Sequence, residues 1–331
     1  MKALVSTKAG PPETLEYLDV RDPVAAPGEV VIAVKAAGVN FPDSLIIEDR
    51  YQFKPERPFS PGGEVAGIIE SVAADVTHLR VGQKVLASCI WGGFAEKVKV
   101  EASSVIPMPD GMPFDDASAL LLTYGTSYYA LKDRALLKRG ETLLVLGAAG
   151  GAGISAVELG KAMGARVVAA VSSEDKAAFA KSAGADETVL YPSGHLTKQQ
   201  SKDLAESFKR VCGGGTDVLY DAVGGDYCEP GLRAMNWNGR YLVIGFPAGI
   251  PKPPLNLTLL KSSSIVGVFW GASLVREPEL HTGNTQDLFR MYREGKIKPR
   301  ISARYSLREG GKAIRALMER GVHGKLVLTV S

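Results

Sequence analysis

The residues best placed to do chemistry lie in one short turn, Ala148-Ala149-Gly150-Gly151-Ala152-Gly153. Glycines there let an anion reach backbone N–H groups at a helix start, where the helix dipole favours negative charge. A Cβ at Gly150 or Gly151 would block that approach, and Gly153 allows the helix to lie close to the strand before it. The usual spacing is G-x-G-x-x-G, and here Ala148 takes the first place. The flanking elements are those the turn requires. Thr142–Gly147 is an apolar run of strand length. Ala152, Ala156, Leu159 and Met163 share one helical face, and Gly164 is placed to end that helix. Arg166–Val171 then reads as a buried parallel strand. Strand, glycine turn, helix, strand is the βαβ unit that binds dinucleotides, with the backbone of residues 149–153 as the phosphate cradle.

The end of the second strand reports on which dinucleotide. An NAD site needs an acid about 20 residues beyond the glycines to accept from the ribose 2′-OH. This chain has Ser172 and Ser173 there, with Lys176 one turn into the next helix. Hydroxyls and an ammonium suit a 2′-phosphate, which a carboxylate would repel. Glu174 and Asp175 stand nearby, and both read as first-turn helix acids behind a serine N-cap. The expected cofactor is NADPH.

The rest of the chain must hold that unit. At 331 residues it is long enough for two domains. Net charge is +3 without a Lys/Arg run, which argues against a nucleic-acid or membrane surface. Cys89, Cys212 and Cys228 are scattered, without a C-x-x-C pair, which argues against a disulfide framework and for a reducing compartment. The opening MKALVSTKAG lacks an apolar signal core, and the expected location is the cytoplasm.

Residues 1–120 read as mostly β, in short runs at 30–36, 67–72, 84–87 and 94–100 broken by glycine and proline. That pattern fits a partly open β-barrel. Residues 115–122 and 128–137 read as helices leading into the βαβ unit. Strand candidates then recur at 142–147, 167–171, 187–190, 217–222, 240–245 and 265–269, the full doubly wound parallel set. Residues 285–294 and 309–320 read as amphipathic helices and 325–330 as a closing strand. The tail is expected to return to the first domain, giving a substrate domain of 1–122 with 270–331 and a nucleotide domain of 123–269. The apolar run 265–270, at what would be the sheet edge, points to a homodimer.

Over nearly its whole length the sequence resembles the medium-chain dehydrogenases/reductases, in their zinc-free quinone oxidoreductase branch. The matching segments are Gly38-Val39-Asn40-Phe41-Pro42-Asp43, Pro61-Gly62-Gly63-Glu64-Val65-Ala66-Gly67, Val81-Gly82-Gln83-Lys84-Val85, Thr126-Ser127-Tyr128 and the turn at 148–153. The resemblance implies a GroES-like β-domain joined to a Rossmann domain, with the active site between them. Zinc alcohol dehydrogenases place a ligating cysteine where Asn40 stands, a histidine at Gly63 and a third ligand near Leu121–Leu122, and their structural-zinc lobe has no counterpart. Zinc needs three or four N/S ligands together, so no metal is expected. Asp43 and Glu64, which serve the surroundings of the metal in those enzymes, read here as structural.

Without a Lewis acid, oxidising an alcohol is hard, whereas hydride transfer to an electron-poor quinone or enone needs only hydrogen-bond donors at the developing oxyanion. The resemblance assigns that role to Asn40 and Tyr51, with solvent supplying the proton. It places Thr126 beneath the nicotinamide, Tyr191 beside the 2′-phosphate, and Phe246, Val268 and Phe269 at strand ends facing the cofactor. Two alternatives stand beside this reading. An enoyl-thioester reductase would use a basic mouth for an acyl-CoA phosphate, with Lys54 and Arg57 as contributors. A non-catalytic crystallin-like or RNA-binding role would leave the cofactor turn unused, and RNA binding would want a basic patch with interleaved aromatics that the sequence lacks.

Overall fold

The computed structural model describes residues 1–319 and 321–330. It divides into two compact units, one of Met1–Leu122 with the chain from Pro299 onward, the other of Thr123–Lys298. The first unit begins with the hairpin-like pair β1 (Lys2–Val5) and β2 (Glu16–Asp19). Its main sheet is built on β3 (Glu29–Val39), followed by α1 (Phe41–Ile47), β4 (Glu64–Val72), β5 (Lys84–Ser88), β6 (Lys97–Glu101), β7 (Val105–Pro107) and the short α2 (Phe114–Ala117). Strand β3 pairs with β4 along one side and, through its first residues, with β6 on the other. Register shifts after Val31 and Val34 mark bulges, which bend and twist a strand. Val30, Ile32, Val65, Val85 and Phe94 point into the core that this sheet encloses.

Residues 115–122 and 128–137, expected as ordinary helices, take a different form. A π-helical turn at Leu121–Gly125 and another at Tyr129–Arg134 flank a single α-turn, α3 (Thr126–Tyr128). Small and aromatic residues crowd this segment: a Cβ on Gly125 would lie 2.8 Å from the Trp270 ring. Widened turns of this kind recur at functional sites.

The second unit follows the doubly wound pattern: β8 (Thr142–Leu146), α4 (Gly151–Ala162), β9 (Arg166–Val171), α5 (Glu174–Ser182), β10 (Glu187–Leu190), α6 (Lys198–Val211), β11 (Thr216–Asp221), α7 (Cys228–Ala234), β12 (Met235–Val243), α8 (Asn256–Lys261) and β13 (Ser264–Gly267). All six strands are parallel, in the order β10-β9-β8-β11-β12-β13, so the order reverses between β8 and β11. Strand β12 starts at Met235, ahead of the expected 240: Met235 pairs with Thr216, the register then shifts through a stretch that holds Asn238 at a left-handed φ of 59°, and pairing resumes at Arg240.

Helices α9 (Trp270–Arg276) and α10 (Pro278–Arg293) correct the expected domain boundary at 270, since both belong to the second unit. Tyr128 donates to Asp287 at 2.9 Å and Lys132 to Asn284 at 2.9 Å, so α10 is tied to the segment that follows α3. The chain returns to the first unit at Pro299, where β14 (Ile301–Ser306), α11 (Gly310–Met318) and β15 (Lys325–Thr329) complete it. Arg320, at the end of the expected helix 309–320, lies outside the described residues. Strand β15 pairs antiparallel with Ala36–Val39 of β3, and β14 runs parallel to β15. Among the described residues no helix is long and apolar enough to cross a membrane.

Packing in the second unit is very close where α4 meets β8. A Cβ on Gly153 would stand 2.1 Å from the Gly147 carbonyl oxygen, and Gly147 itself has φ +72°. Neither atom belongs to a flexible side chain, so nothing there moves cheaply. Gly153→Ala is therefore expected to lower the unfolding free energy by about 1–3 kcal/mol or more through overpacking. Urea unfolding checks this, and an unchanged midpoint would contradict the contact.

Candidate active site

In the second unit, the predicted cofactor residues gather at the carboxyl end of the parallel sheet, where ligands of open α/β folds bind. Gly150 is the N-cap of α4, with extended backbone (φ −77°, ψ 168°), and a Cβ there would meet nothing nearer than the Gly147 oxygen at 3.6 Å. The space above Gly150 is thus open, and the free N–H groups of the first turn of α4 face it. Ala149 is buried, while Gly151 and Ala152 are half-buried. Because β8 and β9 pair with Leu146 opposite Ala170, Ser172 and Ser173 lie beside this turn. Ser173 is the N-cap of α5, and Lys176 Nζ donates to Ser172 Oγ at 3.1 Å. The first-turn acids Glu174 and Asp175 are exposed.

Tyr191 follows β10, its N–H donating to Val171 O, so it stands next to Ser172. Its ring packs tilted against Tyr227, with centroids 4.9 Å apart. Phe246 follows β12 and is half exposed, touching the place where Gly224 permits close approach (a Cβ there would be 2.6 Å from Phe246 Cβ). Val268 donates its N–H to Val243 O, and the exposed Phe269 caps α9. Thr126, in α3, is half-buried.

The first unit carries a buried polar cluster. Asn40, Asp43, Glu64 and Lys325 are each 5% exposed or less, which means that their charges and polar atoms must satisfy one another. Lys325 Nζ donates to Asn40 Oδ1 at 2.6 Å, Glu64 Oε2 at 3.1 Å and Val39 O at 3.4 Å. Asn40 Nδ2 donates to Gly38 O and Glu64 Oε2, both at 3.2 Å. Glu64 Oε1 accepts the N–H of Leu122 at 2.9 Å. Asp43 caps α1, accepting from Asn40 N at 2.7 Å and from Gly62 N at 3.1 Å. Burial pushes the Asp43 carboxyl up to about 7, against the pull of those N–H groups and of Lys325.

This arrangement corrects one expectation. Both amide hydrogens of Asn40 are directed inward, to a carbonyl and a carboxylate, so the side chain is a buried link between Lys325 and Glu64. It does not hold a free donor toward a substrate oxygen. Tyr51, the other residue expected in that role, is placed differently. Its ring is half-buried against the core and tilted on Phe53, and burial together with the charge of Asp43 holds the phenol protonated. Arg57 is occupied by Asp49, Ile47 O and Ser6, leaving only Lys54 of the two cations considered for an acyl-CoA phosphate.

A zinc ion does not suit these donors. Among the described residues no three His, Cys, Asp or Glu side chains converge. Gly63 offers no donor, and the Cys89 thiol, donating to Gly62 O, is pushed up to about 12 by burial. Lys325 already supplies the cluster with a cation. Sequence reading missed Lys325, although a lysine heading an apolar strand (K-L-V-L) was a visible signal.

The fold is that of the medium-chain dehydrogenases/reductases. Residues 26–110 match the alcohol dehydrogenase GroES-like domain, and residues 151–282 match a domain described as zinc-binding dehydrogenase. A quinone oxidoreductase-like protein 2 homolog of Nematostella vectensis is 36% identical, the match covering 91% of this chain and 81% of that one. A mycobacterial protein solved in complex with NADPH superposes with a TM-score of 0.91 at 30% identity, over 100% of both chains. An Escherichia coli quinone oxidoreductase complexed with NADPH gives 0.89 at 27% identity, again over 100% of both. The chain belongs to the quinone oxidoreductase family of that class.

The cluster makes a direct prediction. Lys325→Met would leave Glu64 buried without its cation and is expected to cost about 3–5 kcal/mol of stability. Adding Glu64→Gln should recover most of the loss. Urea unfolding of the single and double variants checks it; a Lys325→Met protein as stable as wild type would contradict the pairing.

Proposed function

We propose that this enzyme is an NADPH-dependent, zinc-independent reductase that delivers hydride to quinones or other α,β-unsaturated carbonyl compounds. The observation that carries the reading is the open cradle at Gly150 beside a strand end bearing Ser172 and Lys176 in place of an acid. The E. coli relative and the mycobacterial one, both solved with NADPH, support it. The free N–H groups of residues 151–153 would hold the pyrophosphate, Ser172, Ser173, Lys176 and Tyr191 the 2′-phosphate, and Thr126 the nicotinamide. Phe246, Val268 and Phe269 would wall the nicotinamide end.

Bound there, NADPH supplies a hydride. That hydride would go to the acceptor carbon, leaving negative charge on the acceptor oxygen for solvent to protonate. The Tyr51 phenol would donate a hydrogen bond to that oxygen as it becomes anionic. Asn40 serves by keeping Lys325 and Glu64 in register with the start of α1. With Lys325 as a fixed internal cation, the cluster keeps its geometry without a metal. Arg57 being occupied weakens the enoyl-thioester alternative.

We also propose a homodimer through β13, an edge strand whose neighbourhood leaves Ile265 37% and Phe269 51% exposed. Sedimentation of Val266→Pro as a dimer like wild type would argue against it. For the reaction, initial rates with 1,4-benzoquinone should be high with NADPH and low with NADH. Lys176→Ala should raise the KM for NADPH about tenfold while leaving that for NADH unchanged. Tyr51→Phe should lower kcat/KM for the quinone by about 10–100-fold with unaltered NADPH affinity. Equal rates with the two nucleotides would remove the cofactor assignment, and an unaffected Tyr51→Phe enzyme would remove the donor.

A further inference from the structure

Three hydroxyls sit together in the interior of the second unit, where the strand order reverses. Tyr220 on β11, Ser127 on α3 and Ser155 on α4 are all fully buried. Ser127 Oγ lies 2.8 Å from both Tyr220 OH and Ser155 Oγ. Ser127 is also 3.1 Å from Ala152 O, and Ser155 reaches Ala152 O at 2.9 Å and Thr123 O at 3.1 Å. The hydroxyl protons can be placed in one consistent order. Tyr220 donates to Ser127, Ser127 to Ser155, and Ser155 to a backbone carbonyl, Thr123 O or Ala152 O. Every donor is then used, and each bond polarises the next.

The ends of this chain are informative. Ala152 is in the first turn of the helix whose N-terminus forms the phosphate cradle. Thr123 and Ser127 bracket Thr126, which is half-buried and whose hydroxyl bonds to no described residue. A π-helical turn precedes Thr126 and another follows Tyr128, so the local helix alone does not fix its position firmly. Burying three hydroxyls is costly unless each is hydrogen-bonded, and here the bonds that offset the cost also tie α3 to α4 and β11.

We infer that Tyr220, Ser127 and Ser155 are positioning residues that hold Thr126 at a fixed offset from the N-terminus of α4. The pyrophosphate and nicotinamide ends of one dinucleotide are thereby held in register. The inference rests on the NADPH reading given above.

The test compares two probes, NADPH and 2′-phospho-ADP-ribose, which lacks the nicotinamide, by calorimetry on the full-length protein. Tyr220→Phe should weaken NADPH by about 3–10-fold, the range of one hydrogen bond, and lower kcat, while the fragment binds as before. Thr126→Ala should show the same pattern, and the double variant should be no worse than Thr126→Ala alone, since Tyr220 acts through Thr126. Should Tyr220→Phe not fold, Ser155→Ala takes its place in the cycle. Equal weakening of both probes, or effects that add in the double variant, would overturn the inference while leaving NADPH binding intact. Wild-type protein that binds neither probe would overturn the nucleotide reading and this inference with it.

Discussion

The contact on which the second unit depends is that between Gly153 and the Gly147 carbonyl, too close for any side chain. It presses the start of α4 against the end of β8, which leaves the first-turn N–H groups at the carboxyl edge of the sheet. From that one constraint the rest follows. Ser172 and Tyr191 end the adjacent strands β9 and β10, and Val223 and Gly224, whose N–H groups Asp221 Oδ1 binds at 2.8 Å, turn the chain after β11. The same approach brings Ala152 and Ser155 within reach of Ser127, so the first turn of α4 and the segment carrying Thr126 are built as one piece.

The first unit solves a different problem. Charged residues at the junction of β3 and α1 are taken out of water, and each is given a partner: Lys325 with Glu64 and Asn40, Asp43 with two backbone N–H groups. Such a cluster is stabilising only when complete, because a lone buried charge costs far more than the pair contributes. That explains why Gly38 has no side chain, since a Cβ would stand 2.1 Å from Ser118 O and 2.8 Å from Glu64.

The βαβ unit was legible because its signals are local. Glycine spacing, an apolar helix and two β-branched runs lie within about 30 residues, the span of one such unit. The segment at 121–134 was not legible in the same way. Apolar periodicity there reads as two helices, but the segment's partners Trp270, Ser155 and Asp287 all lie elsewhere in the sequence. Asn40 shows the same limit: its position was visible, whereas the direction of its amide depends on Lys325, which lies 285 residues away. The boundary near 270 was misplaced for a related reason. Helix α10 looks like any amphipathic helix, and only its partners Tyr128 and Lys132 show which unit it packs on.

The most direct test of the account is single-turnover oxidation of protein-bound NADPH by 1,4-benzoquinone, using metal-depleted enzyme and nicotinamide carrying hydrogen or deuterium at C4. The account predicts a single-exponential loss of NADPH absorbance, slowed by deuterium on one face of the ring and indifferent to added zinc. Bound NADPH that stays reduced, or turnover that returns only with zinc, would contradict it.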